Sequence, residues 1–503
     1  NTSFHMALDK FYGSEAKLKE FIDKCHQNGI AVILDVVLNH AFGRNPLVRM
    51  WMNDPENDGW GGPSAENPYF NETPRHAYNV GDDFNHQSAL TQEYTKRVIK
   101  HWVEDFKIDG FRWDLTKGFT QNCSASDDGC TNNYQQDRVD VLKTYADYSW
   151  SLDANHYVIF EHLGSDNEEQ QWANHRENEG KGIMLWGKMT EEYSELAMAQ
   201  TGNKNINRMG HKSRGFTKPR LMGYAESHDE ERVMYKTVTF GNSAISAHDV
   251  KDLNTALSRM SAIGAVTLTI PGPKMIWHFG DLGMENSIFT CNDGSYENDG
   301  CKLATKPQPQ WTNNWLTTAI RKSIYDDWAR INALKINEDV FEGDYTITSG
   351  SLTPRIDIFN TSIPESELRN VIVLANFDVV AQTVNTNFPI AGAWVDLMDA
   401  SNNTTYSQFK IFGNKAATLS NDDVTLEDNI LQLYPNPTST SFYLSKEALD
   451  VEVYDITGKQ VKQFAKSVIK NNTFSVTDLN TGIYFVRIKE NDNKISTKKL
   501  IIN

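Results

Sequence analysis

Four short segments constrain this chain more than anything else in it: DVVLNH from Asp35, GFRWD from Gly110, FEHLG from Phe160 and ESHDEER from Glu226. Each closes an apolar run with the length and residue types of a β-strand, and segments with helical periodicity separate them. The spacing predicts helices over 14–28, 91–107, 134–152, 249–263 and 316–335, with further strands at 182–187 and 274–283. Alternating units of this size build a parallel sheet. Carboxylates at the ends of several strands point to a (β/α)8 TIM barrel, whose functional groups gather on the C-terminal rim.

Outside that pattern the chain changes character. Residues 41–90 are rich in Asn, Pro, Gly and Trp and keep no period, as in a long functional loop. Short strands separated by turns fill 336–425, which reads as an all-β sandwich. An acidic stretch at 420–429 leads to a second β module over 428–503. The expected division is therefore a barrel at 1–335, a β domain at 336–425 and a small β-sandwich at 428–503.

Lys and Arg sum to 49 against 66 Asp and Glu, a net charge of -17. Such a chain repels polyanions, which argues against nucleic acid and suits a neutral ligand. No apolar run has the length of a membrane span. Cys123 with Cys130, and Cys291 with Cys301, flank polar loops and read as two local disulfides, which implies an oxidising compartment. The alternative is five reduced thiols. Cys25 shares a helical face with Leu18, Phe21 and Ile22 and is expected to be buried.

At the four segments the chain resembles the α-amylase family, glycoside hydrolase family 13. Asp35, Asn39 and His40 match its first motif, Arg112 and Asp114 the second, Glu161 the third, and His228 with Asp229 the fourth. The stretch Asp82–His86 is similar to a motif in the family's long loop. The resemblance implies that the first two βα units of the barrel are missing from this sequence. Residues 428–503 resemble the type IX secretion sorting domain of Bacteroidetes through YPNP, YDITGK and GIYFV. That implies a partner in the secretion machinery and a secreted or surface-attached monomer.

The family's chemistry implies a retaining double displacement on an α-glucan polysaccharide or oligosaccharide. Asp114 is the expected nucleophile, Glu161 the acid/base and Asp229 the group that holds the distorted sugar ring. His40, Arg112, His228 and Lys117 are the expected substrate contacts, with Asp35 orienting Arg112. No cofactor is needed for the chemistry. Asn39 is the candidate ligand of a structural calcium, although Gly118 stands where many members carry a histidine. Taken singly, each of these residues is more often a helix cap, a loop histidine or a structural ion pair. Hydrolysis of α-1,4 bonds is the expected activity. The SHDEER string resembles both glucan-branching enzymes and a bacterial amylase subgroup near them, so the alternatives are a 1,4-α-glucan branching transferase and a catalytically dead glucan-binding surface protein.

Overall fold

A computed structural model describes residues 2–399 except 57, 297–298 and 303–306, residues 408–417, and most of 433–502. Within the last range 435, 437, 445–446, 456–457, 466–467, 470–472 and 491–494 are excluded. The acidic stretch at 420–429 therefore lies outside the described residues, as do parts of YPNP and YDITGK.

The chain forms two compact units, Asn1–Leu419 and Ser420–Asn503. The first is built on five parallel strands in sequential order: β1 (Ile33–Val36), β2 (Gly110–Trp113), β3 (Tyr157–Phe160), β4 (Met184–Lys188) and β5 (Leu221–Tyr224). All four residues of β2 are buried, as expected of a strand covered on both faces. Strand β1 is partly exposed, and no described strand pairs with its outer side.

Beyond β5, the strand expected at 274–283 shrinks to a single parallel bridge between Gly223 and Lys274. Residues from Gly280 turn into a short 3-10 helix. The described residues thus give five strands and a bridge, not a closed eight-stranded barrel.

Of the helices α1 (Glu15–Gln27), α2 (Ala89–Lys100), α3 (Gln136–Leu152), α4 (Asp166–Ala173), α5 (Thr190–Met198), α6 (Val233–Phe240), α7 (Leu253–Leu268) and α8 (Ala319–Asn337), five fall where the periodicity places them, namely α1, α2, α3, α7 and α8; α4, α5 and α6 were not expected. Ser14 caps α1, accepting from the N–H of Lys17, a bond that satisfies one of the helix's free donors. The expected burial of the α1 apolar face is corrected: Phe21 is 56% exposed and only Ile22 is fully buried. Cys25 is half-buried and is not in a disulfide. Both expected disulfides, Cys123–Cys130 and Cys291–Cys301, are present.

Two cores organise this unit. One gathers Val98, Trp102, Phe111, Trp113, Leu142, Tyr145 and Phe160 between β1–β3 and the helices α2 and α3. The other joins α5, α7 and α8 to a five-stranded antiparallel sheet. That sheet comprises β6 (Asp344–Thr348), β7 (Arg355–Phe359), β8 (Asn370–Ala375), β9 (Val395–Asp396) and β10 (Phe409–Gly413), in the order β6-β7-β8-β10-β9. From Ala256 to Leu268 only Ser258 of α7 escapes burial, so the helix serves as a central layer. The expected sandwich over 336–425 is, among the described residues, one sheet backed by α7.

The loop at 41–90 is not structureless. It carries the paired segments His40–Ala41 with Asp82–Asp83, and Met52–Asn53 with Gly62–Pro63. A small core of Ala41, Val48, Phe70 and Phe84 holds it together. The second unit has a three-stranded and a four-stranded antiparallel sheet around Phe442, Val451, Val453, Phe474, Val486 and Leu500.

Candidate active site

Strand register brings the expected site residues together. Asp35 pairs with Arg112, and Trp113 with Phe160. The ladder continues one step past the strands: Asp114 N–H donates to Val36 O at 2.9 Å, and Glu161 N–H to Trp113 O at 3.0 Å. Asp114 and Glu161 therefore stand side by side at the C-terminal ends of β2 and β3. Arg112, two residues before Asp114, projects from the same face.

Arg112 is the hub. Its Nη1 donates to Asp35 Oδ1 at 2.8 Å and to Asp114 Oδ1 at 2.9 Å, while Nη2 lies 2.9 Å from Glu161 Oε2. Burial works against its charge, but Glu161, Asp35 and Asp114 outweigh that and raise its pKa. The guanidinium also stacks 4.2 Å from the Trp186 ring centroid. Asp35, 59% exposed on the open side of β1, orients Arg112 as expected.

The two carboxyls sit in different surroundings. Asp114 is held by Asn39, whose Nδ2 donates to its backbone oxygen at 2.9 Å and to Oδ2 at 3.3 Å. Glu161 accepts only one backbone N–H, from Leu115 at 3.0 Å. Burial raises its pKa; Arg112 and that N–H oppose the shift, and Asp114 and Asp229 reinforce it. A carboxyl so placed keeps its proton to higher pH, which an acid/base needs. Leu115 and Leu163, just past the two carboxyls, have left-handed backbones with φ of 41° and 52°. Such strain in non-glycine residues concentrates at functional sites.

His40 enters from the loop, where its ladder with Asp83 fixes it. Its Nδ1 meets Asn39 Oδ1 at 2.5 Å, and burial lowers its pKa to about 4. The ring is thus neutral at ordinary pH. His228 and Asp229 lie on the turn after β5, with His228 Nε2 3.4 Å from Asp229 Oδ2. The His228 ring sits between Trp186, at 6.0 Å, and Trp277, at 5.9 Å.

Lys117 donates to Asn132 Oδ1 at 2.7 Å and lies over the Tyr78 ring; burial lowers its pKa. Trp60 in the long loop is exposed, with the Arg44 guanidinium 4.0 Å from its ring centroid.

The residues around Asn39 do not fit a calcium ion. Both ends of its carboxamide are engaged, by His40 and Asp114. A buried His76–Asp83 pair at 3.2 Å fills the space behind it, so tightly that a Cβ on Gly118 would lie 2.9 Å from Asn39 Cβ and 3.1 Å from His76. Among the described residues no group of three or more His, Cys, Asp or Glu could hold a metal.

Three contributors escaped the sequence reading. Trp186 stacks on Arg112, and its place on β4, beside the strands that end in carboxylates, was the available signal. Lys302 Nζ lies 3.2 Å from Asp229 Oδ1, across a separation that no motif spans. Behind Glu161, His162 bonds Glu168 at 2.9 Å, and Glu168 takes Arg138 through two contacts of 2.6 Å, which fixes the loop after β3.

Residues 2–49 and 43–314 match the alpha amylase catalytic domain, and residues 432–503 the secretion system C-terminal sorting domain. Among relatives, a maltogenic alpha-amylase of Bacillus acidopullulyticus is 30% identical over 127 residues, 23% of this chain and 21% of its own. A 1,4-alpha-glucan-branching enzyme of Equus caballus is 33% identical over 115 residues, 22% of this chain and 15% of its own. The chain thus spans about a fifth or less of the length of these relatives. Among solved structures, a pullulanase mutant of Paenibacillus barengoltzii complexed with maltotetraose superposes with a TM-score of 0.55 at 14% identity, covering 79% of this chain and 60% of that one. An Anoxybacillus alpha-amylase gives 0.54 at 13% identity, covering 82% and 83%. At these identities the likeness is one of fold.

Proposed function

The chain belongs to the alpha-amylase catalytic-domain family, and we propose that it hydrolyses α-1,4 bonds of starch- or glycogen-type glucans by a retaining double displacement. Its sorting tail makes it a secreted or cell-surface protein of the type IX route. An extracellular place favours hydrolysis, because branching acts on stores inside the cell.

The observation that carries the reading is the sharing of Arg112 by Asp114 and Glu161. One guanidinium holds a nucleophile and an acid/base beside each other, as a retaining pair about 5 Å apart requires. Asp114 attacks the anomeric carbon as Glu161 gives its proton to the leaving oxygen; the glycosyl–Asp114 ester forms and the glycosidic bond breaks. Glu161, now a carboxylate, takes a proton from water, and the hydroxide oxygen displaces Asp114. His40, His228 and Asp229 bind the hydroxyls of the reacting sugar as charge develops at its ring.

Transfer to a sugar hydroxyl uses the same intermediate, so branching is the second reading, supported by the branching-enzyme relatives and the SHDEER string. Incubation with long linear amylose separates the two. New reducing ends without α-1,6 branches support hydrolysis, and branches with few new ends overturn it in favour of transfer. Neither product would leave a glucan-binding surface protein.

A further inference from the structure

The turn that carries Asp229 runs from Ser227 to Arg232, between β5 and α6. Its flanking charges are not solvated. Glu230 pairs with Lys188 at the end of β4, at 2.8 Å, and accepts from Ser227 Oγ. Glu231 accepts from Ser287 Oγ at 2.6 Å and from the Ile288 N–H at 2.9 Å. Arg232 donates to His278 O at 3.1 Å and to His278 Nε2 at 3.3 Å. The turn is tied on three sides to three different parts of the fold.

Glu226 and Arg232 stand at its two ends, with side chains 12% and 4% exposed. Glu226 Oε1 accepts from the N–H of Val233, the first residue of α6, at 2.7 Å; Oε2 faces Arg232 Nη1 at 3.8 Å. The Arg232 guanidinium lies 5.7 Å from the ring centroid of Trp277, the residue against His228. Beside Glu226 is a mostly apolar cavity of about 20 Å³ lined by Ala225, Val233, Met260 and Ile263. A buried charge pair next to apolar space is a poor source of stability, since an apolar pair of equal volume does as well or better. At 3.8 Å the two attract as charges without a hydrogen bond; direction comes from the Val233 N–H on Glu226 and from the bonds of Arg232 to His278.

Resting on the function proposed above, we infer that Glu226 and Arg232 are positioning residues, a buried clamp that joins the two ends of the Asp229 turn and sets His228 and Asp229 for the reacting sugar. Neither needs to touch substrate. The ES pair before His228 and the EER string after Asp229 then have one explanation, which is to hold the turn rather than line an acceptor site.

The test uses the full chain with maltohexaose and the variants Glu226→Gln, Arg232→Gln, Arg232→Lys and the double Glu226→Gln/Arg232→Gln. Each single Gln variant strands a buried charge and is the one most prone to misfold; the double strands none. The expected result in the double is a kcat loss of about 10²-fold, the scale set by a misplacement near 1 Å, with KM changed less than about threefold. The two single losses should not multiply, because the residues act as a unit. Arg232→Lys, which keeps the charge, should recover part of the kcat. A folded double variant with kcat within about twofold of the parent overturns the clamp, and so do losses that multiply. If the parent acts on no α-glucan, the functional reading fails and a crystal structure of the double variant decides the clamp: displaced His228 and Asp229 support it, and unmoved ones overturn it.

Discussion

Asn39 donates one carboxamide nitrogen to both the backbone oxygen and the Oδ2 of Asp114, at 2.9 and 3.3 Å. The same side chain's oxygen faces His40. Asn39 is therefore a bracket between the proposed nucleophile, Asp114, and the His40 ring. Asn39→Ala should lower kcat by about 10- to 10²-fold, as loss of an orienting contact does. Steady-state kinetics on maltohexaose check this, and an unchanged kcat would remove Asn39 from the machinery.

With both ends of that carboxamide engaged and His76–Asp83 packed behind it, the fold should not depend on calcium. A bound ion stabilises the folded state in proportion to the logarithm of its concentration. Thermal melts of the full chain in chelator and in millimolar calcium should superpose. A melting temperature that climbs with calcium would show a site that these residues do not form.

Asp114→Asn removes the carboxylate proposed as nucleophile and keeps its shape beside Asn39. Turnover should fall by at least about 10³-fold, the scale seen when a nucleophile is lost. Glucan binding, read by calorimetry, should persist. Retained turnover would move the nucleophile elsewhere.

Much of this site could be read in advance because its residues lie at strand ends, where sequence position and spatial position coincide. Arg112 and Asp114 share a strand face, and one step of register delivers Glu161. The readings that failed depended on long-range packing. Phe21 has the right period for a buried face, but burial also needs something packed against it. The strand at 274–283 had the apolar content, but it pairs only through the Gly223–Lys274 bridge before the chain turns into a 3-10 helix at Gly280. Lys302 reaches the site through a contact that no local pattern encodes.

Short loops close both disulfides, with sequence separations of 7 and 10. Loops of that size are worth about 2–3 kcal/mol each in the chain-entropy account. Thiol titration of the unfolded, unreduced chain should find one group, Cys25, and five after reduction. Reductant should also lower the melting temperature. Five thiols before reduction would refute both bridges.

Glu161 gives the pH dependence. Its folded pKa is raised by burial against the pull of Arg112, so folding favours its protonated form. The stabilisation is fully present below the unfolded glutamate pKa and is lost as pH rises through the higher folded value. A permanently neutral Glu161→Gln should therefore melt above the parent at pH 8, with the gap narrowing toward pH 4. In the parent, kcat/KM should fall on the alkaline side as Glu161 loses the proton it must give, and Glu161→Gln should abolish that limb along with nearly all turnover. A variant that melts below the parent at pH 8 would mean that the Arg112 contact outweighs burial, and Glu161 would then be too acidic to serve as the proton donor.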